Sequence, residues 1–213
     1  MNDDKMLVVY EEETFVVINK KSGFLSVPGR GPENYDSVSS RIKALYDDCI
    51  EQPAVHRLDM DTSGLMVLAL NKASHRNLSI QFQNRQTAKK YEALLEGHIE
   101  GESGTIELPF RLDIDNRPHQ IYDPVHGKMG TTHWQKIAQE EGFTRIEFTP
   151  ITGRTHQLRV HSAHQKGLGT PIVGDPLYGN GKGPGQMKLH AKYLSFNHPV
   201  SNELMDFHSI VPF

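Results

Sequence analysis

His56-Arg57-Leu58-Asp59-Met60-Asp61-Thr62-Ser63-Gly64 gathers two carboxylates, a guanidinium and an imidazole directly before an apolar run at residues 65–70. An aspartate beside an arginine at the entrance of a buried strand can stay ionised in a partly buried cleft, where it can act as nucleophile or general base. The same residues also suit an Asp/Ser turn that satisfies its own backbone groups, and local composition leaves both readings open. A second polar stretch, Thr152-Gly153-Arg154-Thr155-His156-Gln157-Leu158-Arg159-Val160-His161, puts cationic and apolar side chains where a strand feeds a helix. Unpaired N–H groups at a helix start favour anions, and Arg154 and Arg159 could hold a phosphate or a catalytic carboxylate through charge-assisted hydrogen bonds.

Other chemistries fit less well. His156, His161 and His164 are close in sequence, but no H-E-x-x-H string accompanies them, so a metal-dependent hydrolase is disfavoured. Gly181-Lys182 is followed by Gly183 where a phosphate-binding loop needs Ser or Thr. Cys49 is the single cysteine, with no partner for a disulfide and no metal or redox spacing, and reads as a structural thiol.

The elements that must position these residues follow from hydrophobic periodicity. Leu7–Tyr10 and Phe15–Ile18 predict an N-terminal hairpin, and glycines and prolines from Gly23 to Pro32 predict a loop. Val38, Ile42 and Leu45 predict a helix over 37–46 with Asp36 or Ser37 as N-cap, ending before Pro53. Residues 64–70 fit a buried strand, and Leu78 and Phe82 mark one face of a helix over 73–83. Residues 90–95, 132–137 and 144–151 predict strands, 156–165 a short helix, and Gly179–Gly185 a surface loop. Strands outnumber helices without strict alternation, which predicts an α+β fold with a largely antiparallel sheet. No internal repeat or interdomain linker interrupts the chain.

Hydrophobic residues at 37% and charged residues at 23% of 213 favour a soluble globular class of one domain or two closely joined halves. No apolar run approaches a membrane span, and Met1-Asn2-Asp3-Asp4-Lys5 lacks the form of a signal peptide, so cytoplasmic residence is expected. Net charge is −3. Its distribution is uneven: residues 1–13 hold five acidic side chains against Lys5, whereas residues 151–195 hold six lysines and arginines against Asp175. A local basic surface on a mildly acidic protein can bind phosphates while limiting indiscriminate association.

Several strings together resemble the RluA family of pseudouridine synthases. His56-Arg57-Leu58-Asp59 with Thr62-Ser63-Gly64-Leu65 resembles the family's signature, Asn19-Lys20-Lys21-Ser22-Gly23 its early loop, and Lys90-Tyr91 its central tyrosine strand. Gly153–His161 resembles its third motif and Gly174-Asp175-Pro176-Leu177-Tyr178-Gly179 its late loop, while Leu189-His190-Ala191 and His198-Pro199 also fit. Gly23–Arg30 and Asp36-Ser37-Val38 are most similar to the short members that begin directly with the catalytic domain. Lys21 departs from the family's usual proline, which makes the loop less rigid.

The resemblance implies a single catalytic domain over 1–213 without an S4 domain, with a mixed, largely antiparallel sheet, flanking helices and a central RNA-binding cleft. It implies isomerisation of uridine to pseudouridine in stem-loop RNA, without cofactor or metal, in 23S ribosomal RNA and a tRNA anticodon stem-loop or in one of these. Asp59 is then the essential carboxylate, whether toward sugar, base or a sugar proton, and Arg159 the partner that keeps it ionised. Tyr91 would stack on the uracil and assist proton removal at C5, Arg57 would fill the place of the flipped base, and Leu158 would supply an apolar wall. Substrate contacts are further expected from His56, Arg154, Arg85, Lys89, Lys90 and Lys188, by charge and proximity to the motifs. RNA is the expected partner, the membrane is not, and the protein is expected to be a monomer. A catalytically silent RNA-binding module is the alternative; the intact Asp59, Tyr91 and Arg159 set argues against it.

Overall fold

In chain order the computed structural model contains β1 (Met6–Glu11), β2 (Phe15–Lys20), α1 (Val38–Leu45), β3 (Ser63–Ala69), α2 (Lys72–Gln83), β4 (Ala88–Glu96) and β5 (Ser103–Leu112). There follow β6 (Gln120–Tyr122), β7 (Lys128–Glu140), β8 (Phe143–Pro150), α3 (Gln157–Ala163), β9 (Leu189–Asn197) and β10 (Leu204–His208). The structure describes residues 5–213, so Asp3 and Asp4 of the acidic N-terminal stretch lie outside the described residues. Two compact units result, one from the described residues up to Lys89 with Ala191–Pro212, the other from Lys90–His190 with Phe213. The chain passes from one unit to the other within β4 and again within β9.

In the first unit the hairpin pairs antiparallel from Met6↔Lys20 to Glu11↔Val16, and β2 pairs antiparallel with β3 from Phe15↔Ala69 to Lys20↔Gly64. Every residue of β3 is buried, as an uninterrupted apolar run requires. Leu78 of α2 packs with Phe15, Val17, Leu65, Val67, Leu194 and Phe196 to form the core, and β10 continues the antiparallel pairing on β9. Gly64 explains its own identity. Its φ is +115°, and a Cβ there would lie 2.4 Å from the Ala191 carbonyl oxygen, so only glycine permits the close approach of β3 to β9. Of the two candidate caps for α1, Ser37 holds the position in a capping box with Ser40, while Asp36 turns outward to Lys5 and Arg41.

The second unit has the strand order β4-β8-β7-β5-β6 with every one of these pairs antiparallel. Ala93, Leu95, Ile146, Phe148, Leu158, Ile172 and Leu189 form one core cluster, and Ile106, Leu108, Phe110 and Val160 another. Both units therefore bear out the α+β, largely antiparallel expectation. Strands β5, β6, β9 and β10 were not among the predicted elements. Helix α3 is also shorter than predicted: His156 adopts the left-handed conformation at φ 57° as its N-cap, and the helix ends at Ala163 rather than Gln165.

Candidate active site

Asp59 lies in irregular backbone between Pro53 and β3, half-buried, with Arg57 exposed and Leu58 buried beside it. The segment is attached at both ends. Ala54 bridges to Leu68, the Ala69 N–H donates to the Pro53 carbonyl (2.9 Å), and the Thr62 N–H closes a turn on the Asp59 carbonyl (3.1 Å). The Val67 N–H donates to Nε2 of His56 (3.1 Å), whose ring stacks on Phe82 of α2 at 4.4 Å between centroids. Burial, helped by the Lys89 cation, pushes the His56 pKa down to about 3, which keeps the ring neutral and able to accept.

The loop after β2 supplies further anchors. Lys20 is fully buried, and its ammonium donates to the carbonyls of Lys21 (3.0 Å), Phe24 (2.7 Å) and Met60 (2.8 Å). Burial pushes its pKa down to about 7, with Asp61 and Asp59 pulling the other way. A cation is thus held close enough to both carboxylates to act on them electrostatically. The Gly23 N–H also donates to the Met60 carbonyl (2.9 Å), and the Ser22 hydroxyl to that of Asp61.

In the second unit Arg159 projects from α3 and is 3% exposed; its Nε and Nη2 donate to the two oxygens of Asp175 at 2.8 and 2.6 Å. Asp175 also accepts the backbone N–H groups of Leu177 (2.9 Å) and Tyr178 (3.1 Å), and the Tyr178 ring lies 5.2 Å from the guanidinium. Burial alone would raise the Asp175 carboxyl. The Arg159 hydrogen bonds and charge, with the two backbone donors, outweigh it and hold its pKa below the ordinary carboxylate value. A guanidinium held along its Nε–Nη2 edge by both carboxylate oxygens, with the Tyr178 ring beside it, is fixed in direction. Sequence reasoning passed over the Asp175–Arg159 pair: the Asp175 loop was singled out, but nothing in a Gly-Asp-Pro string says which arginine it grips. Tyr91, half-buried on β4, packs against the cluster that contains Leu158.

The start of α3 is built on Gln157. Its Oε1 accepts from the Arg154 N–H (3.0 Å) and the Thr152 hydroxyl (2.7 Å), and its Nε2 donates to the Thr131 carbonyl (3.0 Å) and the Thr132 hydroxyl (2.9 Å). The Arg154 N–H is therefore engaged, while its side chain is exposed. Arg85 is exposed just past α2, Lys90 pairs with Glu147 (2.9 Å), Lys188 sits 5.6 Å over the Phe213 ring, and Lys89 lies over Phe82 at 5.9 Å with its pKa lowered by burial. The three clustered histidines have separate neighbours: His156 meets the Tyr178 hydroxyl (2.9 Å), His164 the Tyr122 ring, and His161 the edge of Phe110.

With this geometry in view, the comparisons are informative. The family model for RNA pseudouridylate synthase matches residues 14–164. The dual-specificity RNA pseudouridine synthase RluA of Haemophilus influenzae is 42% identical over 206 residues, covering 95% of this chain and 91% of that protein. The protein of the same name from Pasteurella multocida is 44% identical over 213 residues, covering 96% and 93%. Among solved structures, human RNA pseudouridylate synthase domain containing 1 aligns at TM-score 0.77 and 30% identity, over 99% of this chain and 85% of its own.

Proposed function

The chain belongs to the RNA pseudouridylate synthase family, and on that premise we propose that it isomerises uridine to pseudouridine in both ribosomal and transfer RNA, with Asp59 as its essential carboxylate. The observation that carries the reading is the span of the family match, which contains Asp59, Tyr91 and Arg159 in one run from 14 to 164. That run crosses the division between the units at Lys89 and Lys90, which supports treating the two as one catalytic domain.

The reaction breaks the bond from N1 of uracil to C1′ of the ribose, forms one from C5 to C1′, releases the C5 proton and places a proton on N1, so that substrate and product are isomers. Asp59 enters as the carboxylate, in attack on sugar or base or in removal of a sugar proton. Each role requires the ionised form. Arg159, aimed by Asp175, is the partner cation for Asp59. Tyr91 stacks on the uracil and assists loss of the C5 proton, and Leu158 backs it as an apolar wall. Extruding the base costs a few kcal/mol, and exposed Arg57 fills the vacated place. Arg154, Arg85, Lys89, Lys90 and Lys188 contact the RNA backbone, with Lys90 exchanging Glu147 for phosphate, and His56 supports the loop next to them.

The relatives' printed name, dual-specificity, supports two RNA targets. The family resemblance assigns these to 23S ribosomal RNA and a tRNA anticodon stem-loop, and a stem-loop target suits recognition, because unpaired loop bases can be splayed and read where an A-form helix hides its edges. No helix among the described residues is long and apolar enough to cross a membrane. A cytoplasmic monomer is the form in which we expect the protein to work.

Tritium release from C5-labelled uridine RNA tests the chemistry. Asp59→Asn should fall below about one-thousandth of the wild-type rate, and full release by that variant overturns the assignment. Reverse-transcription mapping of carbodiimide-modified pseudouridines, in cells with and without the protein, tests the targets: a stop lost in both RNAs is expected, and a stop lost in only one refutes dual specificity.

A further inference from the structure

Leu58, the residue directly before Asp59, has both its backbone polar groups satisfied by one atom. The Ser26 hydroxyl donates to the Leu58 carbonyl (2.7 Å) and accepts the Leu58 N–H (3.1 Å). Ser26 is 3% and Leu58 4% exposed, so water cannot readily take over either bond. A third side of the oxygen rests 3.4 Å from the Met66 sulfur on β3. Ser26 is itself braced. The Ser39 N–H donates to the Ser26 carbonyl (3.1 Å) and the Val38 N–H to that of Leu25 (2.8 Å), which uses N–H groups at the start of α1 that have no partner within the helix. The Ser37–Ser40 capping box fixes that helix start in turn.

We propose that Ser26 is a positioning residue for the isomerisation: its hydroxyl fixes the Leu58 backbone and, one residue on, the direction in which Asp59 presents its carboxylate. The proposal rests on the reading of Asp59 as the essential carboxylate. Beyond Asp59 the Met60 carbonyl is held by Lys20 and Gly23 and the Asp61 carbonyl by Ser22, so the reactive residue is bracketed on both sides by one loop. Removing the Ser26 hydroxyl frees the upstream bracket while leaving every expected RNA contact in place. A displacement of about 1 Å in a reacting group can cost on the order of a hundredfold in rate, with no change in the surface that grips the substrate.

The test uses the full chain and a stem-loop RNA carrying C5-tritiated uridine that the wild-type protein modifies. Single-turnover rate, RNA affinity and thermal midpoint are measured for Ser26→Ala, Ser26→Thr, Ser22→Ala and Asp59→Asn. Ser26→Ala should lose about 10- to 100-fold in rate with RNA affinity within about twofold of wild type, and Ser26→Thr, which restores the hydroxyl, should recover at least about tenfold of a full hundredfold loss. Wild-type rate in Ser26→Ala overturns the proposal, as does a loss matched by an equal loss of RNA affinity, or a Ser26→Thr protein as slow as Ser26→Ala. Should Ser26→Ala not accumulate as folded protein, Ser22→Ala decides. Its hydroxyl is only half-buried, a loss of about three- to tenfold at unchanged affinity supports the bracket, and a wild-type rate refutes it. Asp59→Asn keeps the two ideas apart: if it stays active the reading of Asp59 fails, whereas if it is dead and Ser26→Ala is fully active only the positioning role fails.

Discussion

Replacing His161 by Leu should remove about half of the acid sensitivity that two buried histidines confer on the second unit. His161 is fully buried at the edge of Phe110, and neither ring nitrogen has a hydrogen-bond partner among the described residues. Burial pushes its pKa down to about 4, and burial does the same to His190, against a smaller opposing pull from Glu92. A histidine whose folded pKa is depressed contributes its full stability above the ordinary value of 6.5. That stability is lost as pH falls from about 6.5 toward 4, because the unfolded chain takes up the proton first. Linkage over that window gives about 2 kcal/mol lost per histidine between pH 7 and pH 5. Wild type should therefore lose about 4 kcal/mol from the pair and His161→Leu about 2 kcal/mol. Leucine has nearly the volume of the ring and leaves no orphaned nitrogen, so at pH 7 the variant should be at least as stable to within about 1 kcal/mol. The single tryptophan, Trp134, packs on both core clusters of this unit, and its fluorescence during urea unfolding reports that unit selectively. Equal pH 7-to-5 losses in the two proteins, within about 0.5 kcal/mol, would refute the reasoning, as would an NMR titration of His161 near 6.5.

Asp175→Asn should lower the single-turnover rate more than tenfold and destabilise the second unit by about 3–5 kcal/mol, since it leaves the buried Arg159 guanidinium without its counter-charge; unchanged Trp134 unfolding counts against it. Gly64→Ala should prevent folding of the first unit or cost more than about 4 kcal/mol, because the added methyl meets Ala191 backbone at a φ that alanine avoids; soluble protein with an unchanged circular-dichroism melt refutes this. Arg154→Ala and Lys188→Ala should each weaken RNA binding and reduce the slope of log affinity against log salt by about one, with the rate at saturating RNA unchanged. A salt slope equal to that of wild type would remove either residue from the backbone contacts.

Local periodicity determined much of this molecule. The hairpin β1–β2, the apolar β3, α1 and α2 all follow from patterns that repeat within a single element, and the residues around Asp59 and Arg159 stood out because polar groups gathered at the ends of such elements. Tertiary structure decided what no local pattern encodes. Ser37 rather than Asp36 caps α1 because Lys5 and Arg41 claim the aspartate. Strand β5 carries the alternation Ile106, Leu108, Phe110, but Pro109 interrupts the run, and its pairing with β7 and β6 makes it a strand. Asp175 grips Arg159 across 16 residues and Ser26 holds Leu58 across 32. Side chains that act on partners so far along the chain leave no period behind them. The sequence by itself carried Asp59 and its neighbours; the Asp175–Arg159 and Ser26–Leu58 pairs were set by buried polar atoms that took partners as the core closed.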